Sequence, residues 1–180
     1  MKNVFIAGVA RSGKSTLSKK LKESGNYNYI PLDYFASSLK HNFPEVQITS
    51  NVVIDRISSK KLALLLSRVI KIIDSNNERF IIDSAHILPQ DIIEYLDRDK
   101  WDIYYFGYPN INPYDKLEII RKYDKKTDWT FRKSDEELLS ILEQLIDISV
   151  EIKDECEKFN IPFIDTSNGI SDSINNINKL

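Results

Sequence analysis

The residues best suited to chemistry come early in the chain. Gly8-Val9-Ala10-Arg11-Ser12-Gly13-Lys14-Ser15 matches the spacing GxxxxGK[ST] at every fixed position and follows directly on the apolar run Asn3 to Ala7. Gly8 and Gly13 permit a tight backbone turn. The amides of Ala10, Arg11, Ser12, Gly13 and Thr16, with the positive end of a helix opening at Lys14-Ser15-Thr16, would then converge on phosphate oxygens. Lys14 would bridge the β and γ phosphates of a nucleoside triphosphate, and the Ser15 hydroxyl would coordinate Mg²⁺. The plain alternative is a chance glycine-rich turn between a strand and a helix.

Two carboxylates each close an apolar segment. Asp83 ends Phe80-Ile81-Ile82-Asp83, and an acidic residue at the end of such a strand can hold Mg²⁺ directly or through water. Asp33 follows Tyr29-Ile30-Pro31-Leu32, and in an open α/β sheet the ligand crevice lies at the carboxyl ends of the strands, so its side chain can face the phosphate loop. Asp33 is equally suited to cap a helix beginning at Tyr34. Ser84 and His86 follow Asp83 at once, and a surface or capping role is expected of His86.

Elements of alternating type must position these groups. Short apolar segments at Asn3 to Ala7, Tyr27 to Leu32, Arg79 to Ile82, Trp101 to Phe106 and Ile161 to Ile164 read as strands, apolar on both faces and so covered by helices on both sides. Between them, Ser15 to Ser24 and Ile57 to Asp74 have helical period, the second with Leu62, Leu65, Leu66, Val69 and Ile73 on one face. Pro89 and Pro113 stand where a first helical turn would begin. Ser134-Asp135-Glu136-Glu137 has the form of a capping box and opens the longest helix, which ends near Phe159. Strands alternating with helices predict an α/β fold around a parallel sheet.

Composition narrows the partners. The 180 residues fit one domain, residues 1–180, large enough to bury a core without disulfides or a structural metal. One cysteine, Cys156, excludes an internal disulfide framework and a thiolate zinc cluster, and two histidines leave little for a histidine-rich metal site. This usage is that of a reduced, cytoplasmic protein. The opening apolar run is cut by Arg11 and Lys14, and the stretch Leu62 to Ile73 is too short and too charged to span a bilayer, so neither a signal sequence nor a membrane is expected. Residues 1–22 carry six basic and no acidic side chains, whereas residues 134–180 have a net charge of −8. Such an asymmetry suits a localised anion site and disfavours a nucleic-acid footprint.

The phosphate loop with its flanking strand and helix, together with a short, helix-rich chain, resembles the P-loop NTPase superfamily, and within it the small-molecule and nucleoside monophosphate kinases. The chain lacks the guanine-reading Asn/Thr-Lys-x-Asp and the Asp-x-x-Gly switch of regulatory GTPases, and the LSGGQ-like signature of transporter ATPases. The resemblance implies a three-layer fold with a five-stranded parallel sheet, helices on both faces, an acceptor-binding helical insertion at about residues 34–75 and a lid at 113–133. It implies ATP and Mg²⁺ as cofactors and transfer of the γ-phosphoryl group to a small-molecule acceptor. Asp33 would orient or deprotonate an acceptor hydroxyl. Residues 115–133 hold seven basic and four acidic side chains, and Arg121 and Arg132 are the expected lid arginines because guanidinium grips phosphate bidentately. Trp129 and Phe131 would anchor the lid hinge or simply pack. Arg56 would bind an anionic acceptor, Arg68 would snorkel to water, and Phe163 to Ser167 would pack against the base or cap a last helix. Two other readings stay open: an adenylate-type nucleoside monophosphate kinase, and an ATP-binding switch that transfers nothing.

Overall fold

A computed structural model of the protein describes residues 2–49, 51–170 and 173. Its five strands are β1 (Asn3–Gly8), β2 (Tyr27–Pro31), β3 (Arg79–Ser84), β4 (Trp101–Gly107) and β5 (Phe163–Asp165), joined in one parallel sheet in the order β2-β3-β1-β4-β5. The helices are α1 (Lys14–Ser24), α2 (Leu32–Asn42), α3 (Arg56–Ile73), α4 (Pro89–Ile92), α5 (Pro113–Tyr123) and α6 (Asp135–Phe159). All five expected strands and the expected helix starts at Pro89, Pro113 and Ser134 are present.

Alternation along β1 divides the interior. Phe5 and Ala7 join the large core with Leu62, Leu66 and Ile70 of α3 and Leu142, Leu145 and Ile152 of α6, while Val4 and Ile6 face the other way onto Leu17 of α1. With α1 on one side and α2, α3 and α6 on the other, the sheet is the middle of three layers. Caps fix the helix starts. Asp55 accepts from the amides of Ile57 and Ser58 at α3, Asn112 accepts from Tyr114 ahead of Pro113 at α5, and Ser134 and Glu137 form a complete capping box at α6. Among the described residues, no helix is long and apolar enough to cross a membrane.

β1 lies at the centre of the sheet, between β3 and β4. The loop leaving β1 and the ends of β2 and β3 therefore share one edge, which is where a ligand crevice forms in this topology.

Candidate active site

Strand β1 hands over to the phosphate loop through Gly8, whose φ of 125° and lack of a side chain are both required: a Cβ there would lie 1.9 Å from the Phe106 carbonyl oxygen. The loop turns again through two left-handed residues, Arg11 (φ 60°) and Gly13 (φ 97°), before α1 begins at Lys14. Such alternation turns successive amides towards a common centre. Ser12 donates to the Val9 carbonyl at 2.7 Å, bracing the loop from inside, while Ser15 and Thr16 are exposed at the helix start.

Lys14 is buried, and its Nζ donates to the Val9 carbonyl at 2.7 Å. Burial pulls its pKa down, opposed by the negative charges of Asp83 and Asp33. Asp83 is also buried. Its carboxylate accepts from Tyr29 Oη at 3.0 Å and from Ser18 Oγ at 3.3 Å. Burial pushes the Asp83 carboxyl above the ordinary range against the pull of Lys14, and burial with the Asp83 charge raises the Tyr29 phenol well above its own. A buried carboxylate whose partners Ser18 and Tyr29 share a cleft with the exposed Ser15 hydroxyl fits one cation held mainly by phosphate and water, as Mg²⁺ is held. No cluster of three or more His, Cys, Asp or Glu side chains competes for that role among the described residues. A cleft of about 440 Å³ along α1 is lined by Ser15 together with Ser18 and Tyr29, the two residues that bond Asp83.

Asp33 is not a helix cap. α2 starts at Leu32 with Pro31 as its N-cap, one residue pair earlier than the sequence suggests, and the Asp33 carboxylate instead accepts from the Ala85 amide at 3.0 Å. Its Oδ1 stands 3.6 Å from Nε2 of His86. His86 is buried rather than on the surface, and burial together with the charge of Lys14 holds its imidazole below the usual pKa against the pull of Asp33. Lys14, Asp33, Asp83 and His86 thus form one electrostatic cluster at the ends of β1, β2 and β3.

The arginines separate. Arg11 bonds Asp124 at 3.0 Å and Asp128 at 3.1 Å, linking the loop to the segment after α5. Arg121 is wholly occupied: its guanidinium donates to Asp124, to Asp135 and to the carbonyls of Thr130 and Lys133. Arg132 is exposed in a 3₁₀ turn, Thr130–Arg132. Arg56 is paired with Glu151 at 2.6 Å and Glu155 at 3.5 Å of α6, so its charge is already matched. Trp129 packs on the core and Phe131 is exposed.

At the end of β5, Asp165 accepts from the Ser167 amide and hydroxyl and from Asn110 Nδ2, tying the loop that follows to the segment after β4. That loop carries Ile170 to the phosphate loop, where a Cβ on Gly13 would meet it at 2.7 Å. Cys156 is buried in α6 and its thiol is pushed up to about 12, which suits packing and not nucleophilic chemistry.

Four residues of the site escape a sequence reading. Ser18 and Tyr29 hold Asp83; Tyr108 and Lys116 hold the outer side of the phosphate loop, donating to the carbonyls of Ala10 at 2.9 Å and Arg11 at 3.0 Å. Lys116 leaves one signal. It lies on the buried stripe of α5 with Leu117 and Ile120, a place where a lysine needs a reason.

No protein-family model matches the sequence, and no curated protein matches it significantly. Solved structures do. A shikimate kinase from Bacteroides thetaiotaomicron aligns over 99% of this chain and 97% of its own, with a TM-score of 0.62 and 16% identity. A gluconokinase from Sinorhizobium meliloti 1021 aligns over 97% and 87%, with a TM-score of 0.58 and 12% identity. A shikimate kinase from Acinetobacter baumannii, solved in complex with shikimate, aligns over 99% and 92%, with a TM-score of 0.56 and 16% identity. The chain therefore has the P-loop kinase-like fold, over nearly its whole length.

Proposed function

We propose that the protein is an ATP-dependent phosphotransferase that moves the γ-phosphoryl group of Mg²⁺-ATP to a hydroxyl of a small acceptor. The observation that carries this reading is the Asp33 carboxylate, freed from helix capping, fixed by the Ala85 amide and close enough to Lys14 and Asp83 to act on both electrostatically. Solved structures of the same fold that are named as a shikimate kinase and a gluconokinase support a phosphotransferase reading.

The amides of residues 10–16 and the start of α1 bind the triphosphate, and the Lys14 ammonium neutralises the β and γ oxygens. Ser15 and Asp83 would hold Mg²⁺, which would supply charge neutralisation on the β- and γ-phosphate oxygens. Asp33 accepts the acceptor's O–H hydrogen bond and aims its oxygen at the γ-phosphorus; the proton passes to the carboxylate as the new P–O bond forms and the bond to ADP breaks. His86, whose imidazole burial holds below its usual pKa, borders the same carboxylate and would offer a second hydrogen-bonding edge to the acceptor. Of the expected lid arginines, Arg132 is exposed and would close over the transferring group, whereas Arg121 fastens the lid segment to α5 and α6.

An acceptor that is itself a phosphate needs arginine clamps, and the engagement of Arg56 by two carboxylates argues against it. The deciding experiment is ADP release from Mg²⁺-ATP against nucleosides, nucleoside monophosphates, sugars, hydroxy acids and aminoglycosides, with Lys14→Ala as the blank. A hydroxyl acceptor whose signal disappears in the blank is the expected result. Transfer to nucleoside monophosphates alone would overturn the hydroxyl assignment, and ATP binding with no transfer across the panel would leave the switch reading in its place.

A further inference from the structure

Lys116 is 2% exposed, yet among the described residues no carboxylate pairs with its ammonium. Its contacts are the Arg11 carbonyl at 3.0 Å and the face of the Tyr108 ring, 3.9 Å from Nζ to the centroid. The carboxylates on this side of the loop, Asp124 and Asp128, are held by the Arg11 guanidinium, whose charge adds to the burden on Lys116. Burial lowers the Lys116 pKa to about 8, so the fold maintains a costly charge here, still mostly protonated at neutral pH.

The peptide geometry says what the contacts achieve. A planar trans peptide points its N–H opposite to its C=O. Tyr108 Oη fixes the carbonyl of Ala10 and Lys116 fixes that of Arg11, so the N–H groups of Arg11 and Ser12 are turned away from both and into the arc of the loop. The left-handed conformation of Arg11 makes this arrangement one that the loop alone would hold poorly.

Taking the loop as a triphosphate site, we propose that Tyr108 and Lys116 position it from behind: they aim the amides of residues 11 and 12 at the phosphates, and the buried Lys116 ammonium has the bound polyphosphate as its counter-charge. No motif marks either residue, because both act through backbone carbonyls of the loop.

Titration calorimetry with Mg²⁺-ATP and Mg²⁺-ADP on the full chain tests this, alongside steady-state kinetics with whichever acceptor is turned over. Lys116→Met should raise the Kd for ATP by about ten- to a hundredfold, the loss expected of a hydrogen bond to a charged group, and should weaken ATP more than ADP. Tyr108→Phe, which keeps the ring and removes one hydroxyl, should cost about three- to tenfold. Both should raise KM for ATP while leaving kcat at saturating ATP within about twofold of wild type, a split that general loosening of the fold would not produce. Wild-type affinity in a folded Lys116→Met protein would overturn the proposal. Should that variant fail to fold, wild-type affinity in Tyr108→Phe overturns it, and the stated weakening supports it. If Lys14→Ala binds ATP as well as wild type, the triphosphate reading of the loop falls first and this one with it.

Discussion

The phosphate loop and the segment 124–135 are both short, polar and rich in charge, and they use those groups in opposite ways. In the loop, side chains and neighbours tie down carbonyls, through Ser12 and Lys14 on Val9, Tyr108 on Ala10 and Lys116 on Arg11, which on the proposed reading leaves amides for a ligand. In the segment, side chains close on the protein itself. Asp124 alone takes Arg11, Arg121 and the Thr130 hydroxyl, and Arg121 binds across to Asp135. Of the two expected lid arginines, one is a fastener and one is exposed. A count of basic residues cannot separate them; only their partners can.

The contrast breaks most sharply at Lys14. Replacing it with Ala should lower phosphoryl transfer on the order of 10³-fold while leaving the fold in place, read from ADP release and circular dichroism. Arg121→Ala should do the reverse, lowering unfolding free energy by about 3 kcal/mol in urea because it strips buried Asp124 of one cation and two carbonyls of their donor, with a smaller effect on ATP affinity. Asp33→Asn should cut turnover by about 10²-fold with ATP affinity held, which steady-state and binding measurements separate.

Lys116 supplies a pH signature of smaller size. Its pKa is about 8 in the folded chain against an ordinary 10.5, so between those values the unfolded chain binds more protons and stability rises with pH. The difference between wild type and Lys116→Met, which cancels the opposing tyrosine ionisations, should grow by roughly 1.5 kcal/mol between about pH 8 and 9.5. Arg132→Ala should change stability by less than about 0.5 kcal/mol, and a fall in turnover in that same protein would mark it as the mobile partner of Arg121.

Local chemistry made much of this legible. Apolar runs located all five strands, the Ser134 and Glu137 pair located the start of α6, and the loop spacing located the glycine turn between β1 and α1, because each depends on residues within a turn or a strand of one another. Asp33 was harder. Its cap reading depends on where α2 begins, and that reading is removed by Pro31 at the N-cap and by an amide at Ala85, 52 residues away, that donates to the carboxylate instead. His86 is expected at the surface or as a cap from its sequence, whereas the pairing of β3 beside β2 brings it, buried, to within 3.6 Å of Asp33.

The sequence by itself therefore determined the alternation of strand and helix, the glycine-rich loop and the carboxylate of Asp83 at the end of β3. Those follow from covalent geometry, side-chain periodicity and the fixed reach of a backbone turn. The tertiary structure decided the strand order, the pairing of Arg56 with α6, the holding of Asp83 by Ser18 and Tyr29, and the seating of Lys116 behind the loop. These join residues far apart in the chain, and a charge acquires a role from its burial and its partners, neither of which has a period to read.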